Sequence, residues 1–166
     1  MDRTAYADGL RLRFLTPEDA EELSAICYPL FREVSDYVPV DVVDAFLDTY
    51  LNPDCIREQM TSGTEFAFVF DGDDRVGFIG YAMEGPDLYL SKLYFFDGFR
   101  GKGYGSVCFA FIEKKAREFG AGKIFLETNI RNEKGIRFYE RHGFKPTGQI
   151  VEMRMRMEKW LEPQVL

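Results

Sequence analysis

A chain of 166 residues has the size of one domain, and 46% hydrophobic with 16% aromatic residues fill one core, which excludes a disordered chain and leaves no room for two full domains. A net charge of −7 and a pI near 4.9 argue against nucleic acid, which needs a broad basic face. No apolar run approaches the roughly 20 residues that cross a bilayer, and no apolar leader opens the chain, so a single cytoplasmic domain over 1–166 without a membrane partner is expected.

The charge is uneven along the chain. Through Asp87 there are 19 acidic against 6 basic residues, and afterwards 9 against 15, so an anionic ligand would favour the second half. The plainer alternative is that the charges only solvate each half's surface. Cys27, Cys55 and Cys108 are odd in number and contain no CxxC pair. With His142 as the one histidine, reduced structural thiols and no metal centre are expected.

Leu10, Leu12 and Phe14 alternate with Arg11 and Arg13, the period of a half-buried strand over Leu10 to Leu15. Thr16 then reads as an N-cap, with Pro17 at the first helical position and a helix to about Phe31. Further helices are predicted over Asp41 to Leu51 and, after Pro53, over Asp54 to Thr61. Glu65 to Phe70 and Arg75 to Met83 form a hairpin around Asp71-Gly72-Asp73-Asp74, and Leu88 to Phe96 is another strand. Phe109, Ile112, Ala116 and Phe119 mark a helix that Gly120 ends. A strand over Lys123 to Asn129 and a helix over Asn132 to His142, ended by Gly143, follow. The final strand carries Met153, Met155 and Met157 as core packing. The order predicts an α/β fold, with a mixed sheet flanked by helices and the chemistry at strand ends.

The strand from Leu88 runs into Arg100-Gly101-Lys102-Gly103-Tyr104-Gly105. Glycines there let the backbone approach a ligand, and the unpaired amides and positive dipole end of the next helix favour phosphate oxygens. The turn fits neither a Walker A loop nor a dinucleotide fingerprint, and by itself could be a flexible connection.

Leu93-Tyr94-Phe95 through Arg100-x-x-Gly103-x-Gly105 resembles the acyl-CoA signature of the GCN5-related N-acetyltransferase (GNAT) family. Asn132 through Phe144 is similar to that family's N-x-x-A-x-x-F-Y-x-x-x-G-F helix. The resemblance implies a GNAT-like fold, mostly antiparallel, and transfer of an acetyl group from acetyl-CoA, without a metal, to a small-molecule or peptide amine by direct attack on the thioester. It implies that the amides of Arg100, Gly101, Lys102, Gly103, Tyr104 and Gly105 hold the pyrophosphate. The backbone near Leu93 and Phe95 would take the pantetheine arm as an added strand and polarise the thioester carbonyl. Asn132 would contact that arm, or simply cap its helix. Tyr139 would protonate the departing sulfur, or simply pack in the core. A homodimer is left open, and a non-catalytic acyl-CoA sensor is the alternative reading.

Two departures stand out. Gly135 replaces the family's usual alanine, and the Leu88 strand offers no carboxylate base, which leaves Glu84 and Glu127 on neighbouring strands as candidates or as ordinary glutamates. His142 reads as a surface residue near a helix end. The family's acceptor side draws on the first helices, which here hold Asp36, Asp41, Asp44 and Asp48 among Tyr28, Phe31, Tyr37, Phe46 and Tyr50. A cationic acceptor such as a polyamine, an aminoglycoside-like amine or a basic peptide end is therefore expected.

Overall fold

Leu10, Leu12 and Phe14 are buried as their alternation requires, while Arg11 and Arg13 lie over the Phe70 and Phe68 rings at 4.2 and 5.4 Å on the other face. They belong to an eight-stranded sheet in a computed structural model that describes residues 3–162. The strands are β1 (Arg3–Ala7), β2 (Leu10–Phe14), β3 (Glu65–Asp71), β4 (Asp74–Glu84), β5 (Asp87–Phe95), β6 (Lys123–Asn129), β7 (Lys145–Val151) and β8 (Arg154–Trp160). They lie in the order β1-β2-β3-β4-β5-β6-β8-β7, and every neighbouring pair is antiparallel except β5 with β6. The mixed, mostly antiparallel sheet expected from the sequence is therefore present.

Helices α1 (Ala20–Val34), α2 (Val40–Tyr50) and α3 (Pro53–Thr61) cover one face; α4 (Tyr104–Glu118) and α5 (Glu133–Arg141) lie on the other. Each face has its own core. Leu23, Cys27, Leu47, Ile56, Phe66, Phe68 and Phe78 form the first, and Leu12, Val69, Ile79, Leu88, Ile112, Leu126, Phe144 and Met157 belong to the second. The Thr16 amide donates to Asp19 Oδ2 at 2.9 Å and closes a capping box, followed by a short 3-10 turn before α1. That helix contains Pro29 and runs three residues past Phe31.

Three details differ from the sequence expectations. β1 and β7 were not expected: both are edge strands, and every residue of β7 is exposed, so neither needs an apolar alternation. Met153 is not in the core. It occupies the β7–β8 turn with φ 67° and is 44% exposed, while Met157 is buried and Met155 packs against the core.

Candidate active site

β5 and β6 pair only at Leu88 with Ile124 and Tyr89 with Phe125, although β5 continues to Phe95 and β6 to Asn129. The cause is visible on the other edge of β5. Gly80 pairs with Lys92 and Tyr81 with Leu90, so Ser91 is an extra residue, and such a bulge bends its strand. The two parallel strands part beyond it and leave an open backbone edge. The Phe96 amide donates to Val76, so alternation turns the backbone groups of Leu93 and Phe95 away from β4 and into the gap. Their side chains pack toward the α4 core.

β5 then delivers a turn in which Gly98, Gly101 and Gly103 have φ of 86°, 74° and 86°. Among the described residues, the seven successive amides from Arg100 to Ser106 donate to no protein acceptor. They stand at the positive end of the fifteen-residue α4, a geometry suited to phosphate oxygens. The side chains of the turn are held back from it. Arg100 pairs with both Glu33 oxygens at 2.5 and 3.0 Å and donates from Nε to the Phe95 carbonyl at 2.9 Å, which fastens the turn to α1 and β5. Lys102 remains exposed, over the Phe99 ring. Tyr104 donates to Asp71 Oδ2 at 2.5 Å. A Cβ on Gly105 would lie 3.1 Å from the Phe138 ring, so this glycine lets α5 approach α4, whereas a Cβ on Gly103 would meet nothing within 4 Å.

α5 follows from its sequence just as directly. Asn132 Oδ1 accepts the Gly135 amide at 3.2 Å and Nδ2 donates to Thr128 at 2.9 Å, so the side chain caps α5 and ties it to β6. A Cβ at position 135 would overlap that amide, which accounts for glycine there. At the far end the Gly143 amide donates to Glu140 and the Phe144 amide to Tyr139, a Schellman closure with Gly143 at φ 93°. The closure drives Phe144 into the core, 5.5 Å from the Tyr139 ring. The Tyr-x-x-x-Gly-Phe spacing thus fixes how Tyr139 is seated. Its hydroxyl has no hydrogen-bond partner among the described residues, remains accessible, and is pushed up to about 12 by burial. His142 is not a plain surface residue. Its ring is half-buried between Phe138 and Phe109, at 4.2 and 5.3 Å, and bonds Ser106 and the Phe138 carbonyl, joining α4 to α5.

The α1 face of the gap holds residues that the sequence did not single out for chemistry. Tyr94 packs on Phe31 and Phe78 at 4.8 and 5.8 Å, and its hydroxyl is pushed up by burial and by the nearby Tyr139. Lys92 is partly exposed by area but densely surrounded, and its amine is pushed down to about 8, first by burial and then by Arg154. Arg154 lies over Phe46 at 5.8 Å and 3.8 Å from Glu127. Of the two carboxylate candidates, Glu127 therefore borders the cleft. Glu84 pairs with Asp87 at the hairpin end, away from the open edge.

The shift at Lys92 carries a stability prediction. The unfolded lysine holds its proton to about pH 10.4, so folding bears the full cost of burying the cation below pH 8 and sheds it as the pH rises toward 10.4. Lys92→Met is expected to raise Tm by several degrees at pH 7 and by much less at pH 10. Thermal melts at both values decide it; an equal difference at both would show the amine to be solvated.

Known proteins share this arrangement of sequence and fold. Residues 26–144 match the acetyltransferase (GNAT) family. An uncharacterized N-acetyltransferase of Mycobacterium tuberculosis is 30% identical over 135 residues, 78% of this chain and 85% of that one. An aminoalkylphosphonate N-acetyltransferase of Salmonella typhimurium is 27% identical over 140 residues, 81% and 84% of the two chains. The solved structure of a PaiA N-acetyltransferase from Thermoplasma acidophilum, in complex with coenzyme A, shares the fold with a TM-score of 0.80 at 20% identity, over 92% of this chain and 99% of that one. With a family match over most of its length and a relative at 30% identity, the chain belongs to the GNAT family, a family of N-acetyltransferase enzymes.

Proposed function

We propose that the chain works as one cytoplasmic catalytic domain that moves an acetyl group from acetyl-CoA to a primary amine. The observation that carries this reading is the run of seven free amides at the start of α4, beside the open edge of β5. Those features fit an anionic cofactor with an extended amide-bearing arm. The amides of Arg100 to Ser106 would hold the pyrophosphate, and the backbone of Leu93 and Phe95 the pantetheine arm, with Asn132 near it. Acetyl-CoA supplies an activated acyl carbonyl. The Leu93 to Phe95 edge orients that carbonyl and offers an amide to its oxygen, while Tyr139 holds a proton for the departing sulfur.

The Salmonella typhimurium relative is named for an amine substrate, which agrees with an amine acceptor here. The cationic acceptor suggested by the first helices has weaker support, because Asp44 is paired with Arg32 and Asp48 accepts the Tyr28 hydroxyl.

Thiol release from acetyl-CoA, measured with a panel of small amines and amino-terminal peptides, tests the proposal. Amine-dependent release with acetylated product is expected; tight cofactor binding without release by any amine would favour the sensor reading. Gly103→Ala adds a check on the turn. A left-handed alanine costs about 1–2 kcal/mol, and its Cβ would enter the open space before the amides. Calorimetry is expected to show acetyl-CoA binding weakened about tenfold or more, the loss of one or two charge-assisted hydrogen bonds. Unchanged affinity would make the turn a connector.

A further inference from the structure

On the α1 face of the parted strands, the bulge at Ser91 changes which side of β5 each residue takes. Leu88 and Leu90 face the α4 core, yet Lys92 and Tyr94 face α1, beside Cys27 and Phe31. Lys92 has no carboxylate within ion-pair reach among the described residues. Its one hydrogen bond goes to the carbonyl of its own neighbour, Ser91, at 3.1 Å, which leaves two of three donors unused.

Arg154 reaches the same cleft from β8. It donates to the Glu127 carbonyl at 3.0 Å, but the Glu127 carboxylate is 3.8 Å away, well beyond the roughly 2.8 Å of a charge-assisted bond. Its neighbours Met155 and Met157 face the α4 core, so Arg154 faces the first helices, over Phe46, as Lys92 does, and its charge reaches Tyr37, Tyr89, Lys92 and Tyr94. Arg131, at the rim, donates to the Tyr37 carbonyl at 3.4 Å. Among the described residues the carboxylates felt there are Glu127, loosely engaged, with Glu84 acting on Tyr89 and Asp36 on Tyr37 more weakly than Arg154 does, and none of them pairs with Lys92.

Two like charges held together in a half-buried cleft repel one another, and desolvation adds to the cost. An oxyanion would relieve both, and a guanidinium beside an ammonium suits one well. We propose that Lys92 and Arg154 receive an anionic group, a carboxylate or phosphonate, carried by the acceptor amine itself. This rests on the reading of the chain as an amine acetyltransferase. Lys92 and Tyr94 are two residues apart on one strand face, roughly 7 Å, so the anion lies a short spacer away from the Tyr94 and Tyr139 hydroxyls. The acceptor class is then a small ω-amino acid or aminoalkylphosphonate, not a polycation.

Titrating methylphosphonate into CoA-saturated protein by calorimetry tests the anion site apart from turnover, since CoA fills the phosphate turn first. Binding is expected in wild type and should weaken about tenfold or more in Lys92→Met and in Arg154→Met, as loss of a charged hydrogen bond implies. No binding, or binding unchanged in both variants, overturns the proposal. In a second arm, propylamine, 1,3-diaminopropane, 4-aminobutyrate and 3-aminopropylphosphonate are compared as acceptors. One of the two anionic amines should exceed propylamine by at least about tenfold in kcat/KM, with that preference lost in Lys92→Met. The better of the two identifies the anion. Preference for the diamine overturns the proposal. Methylphosphonate binding that depends on Lys92, with none of the four amines acetylated, upholds the anion site and counts against the amine-transfer reading.

Discussion

Replacing Gly77 with alanine is expected to cost the fold about 3 kcal/mol and to lower Tm by roughly 6–12 °C. A Cβ at this position would overlap the Tyr94 carbonyl oxygen and lie 2.6 Å from Phe95 Cδ1 and 3.0 Å from Phe95 Cα. Two of those three neighbours are backbone atoms, which cannot rotate aside. Relief therefore requires β4 and β5 to separate where Gly77 pairs with Phe95, at the end of the open edge. Acetyl-CoA affinity should fall along with stability, because displacing Phe95 also moves the carbonyl that anchors Arg100. Gly122→Ala is the control: its Cβ would make an ordinary 3.7 Å contact with Asp87, and a change within about 0.5 kcal/mol is expected. A Gly77→Ala protein that melts with wild type would show that the β4–β5 spacing adapts freely.

That glycine also shows where sequence reading stops. β2 was legible because it presents apolar residues to one core at alternate positions, and β3 because, buried between both cores, it is an unbroken apolar run. The phosphate turn and α5 were legible for another reason: each compresses a backbone requirement into a few residues. Gly103 must be left-handed, and Gly143 must close a helix so that Phe144 can enter the core. β1 and β7 need only backbone pairing at an edge, so their residues carry no such pattern, and Pro146 and Gly148 make β7 read as loop.

The cleft was the least legible part. In Leu88-Tyr89-Leu90-Ser91-Lys92, plain alternation puts Lys92 on the same face as Leu88 and Leu90, inside the α4 core, where a charge makes no sense. The bulge reverses that face, and its trace lies on the partner strand. A Cβ at Gly80 would meet the Phe66 ring at 2.8 Å and Ser91 Oγ at 3.0 Å, so only glycine leaves room for the extra residue. A lone glycine in β4 was therefore the available signal. Arg154 had no signal at all, because its place depends on β8 crossing to lie beside β6.

Tyr139→Phe is expected to lower kcat by about 10 to 100-fold while leaving the KM for acetyl-CoA almost unchanged. The size follows from the two groups involved. A thiol resembling that of cysteine ionises near 8.5, so the sulfur leaves tolerably well unaided. The Tyr139 hydroxyl is pushed up to about 12, which makes complete proton transfer to such a thiolate unfavourable. A hydrogen bond to the developing charge remains available, and that is worth the low end of acid catalysis. The same value keeps the hydroxyl protonated throughout the working range, so any rise of wild-type rate between pH 7 and 9 reflects deprotonation of the acceptor amine and should persist in the variant. The ring itself still packs against Phe144 and Phe138, at 5.5 and 5.4 Å, so Tm should move little. Steady-state constants across that pH range, with a melt of each protein, separate the roles. Full activity in the variant would reduce Tyr139 to a packing residue, and a loss confined to KM would make it part of the cofactor's wall.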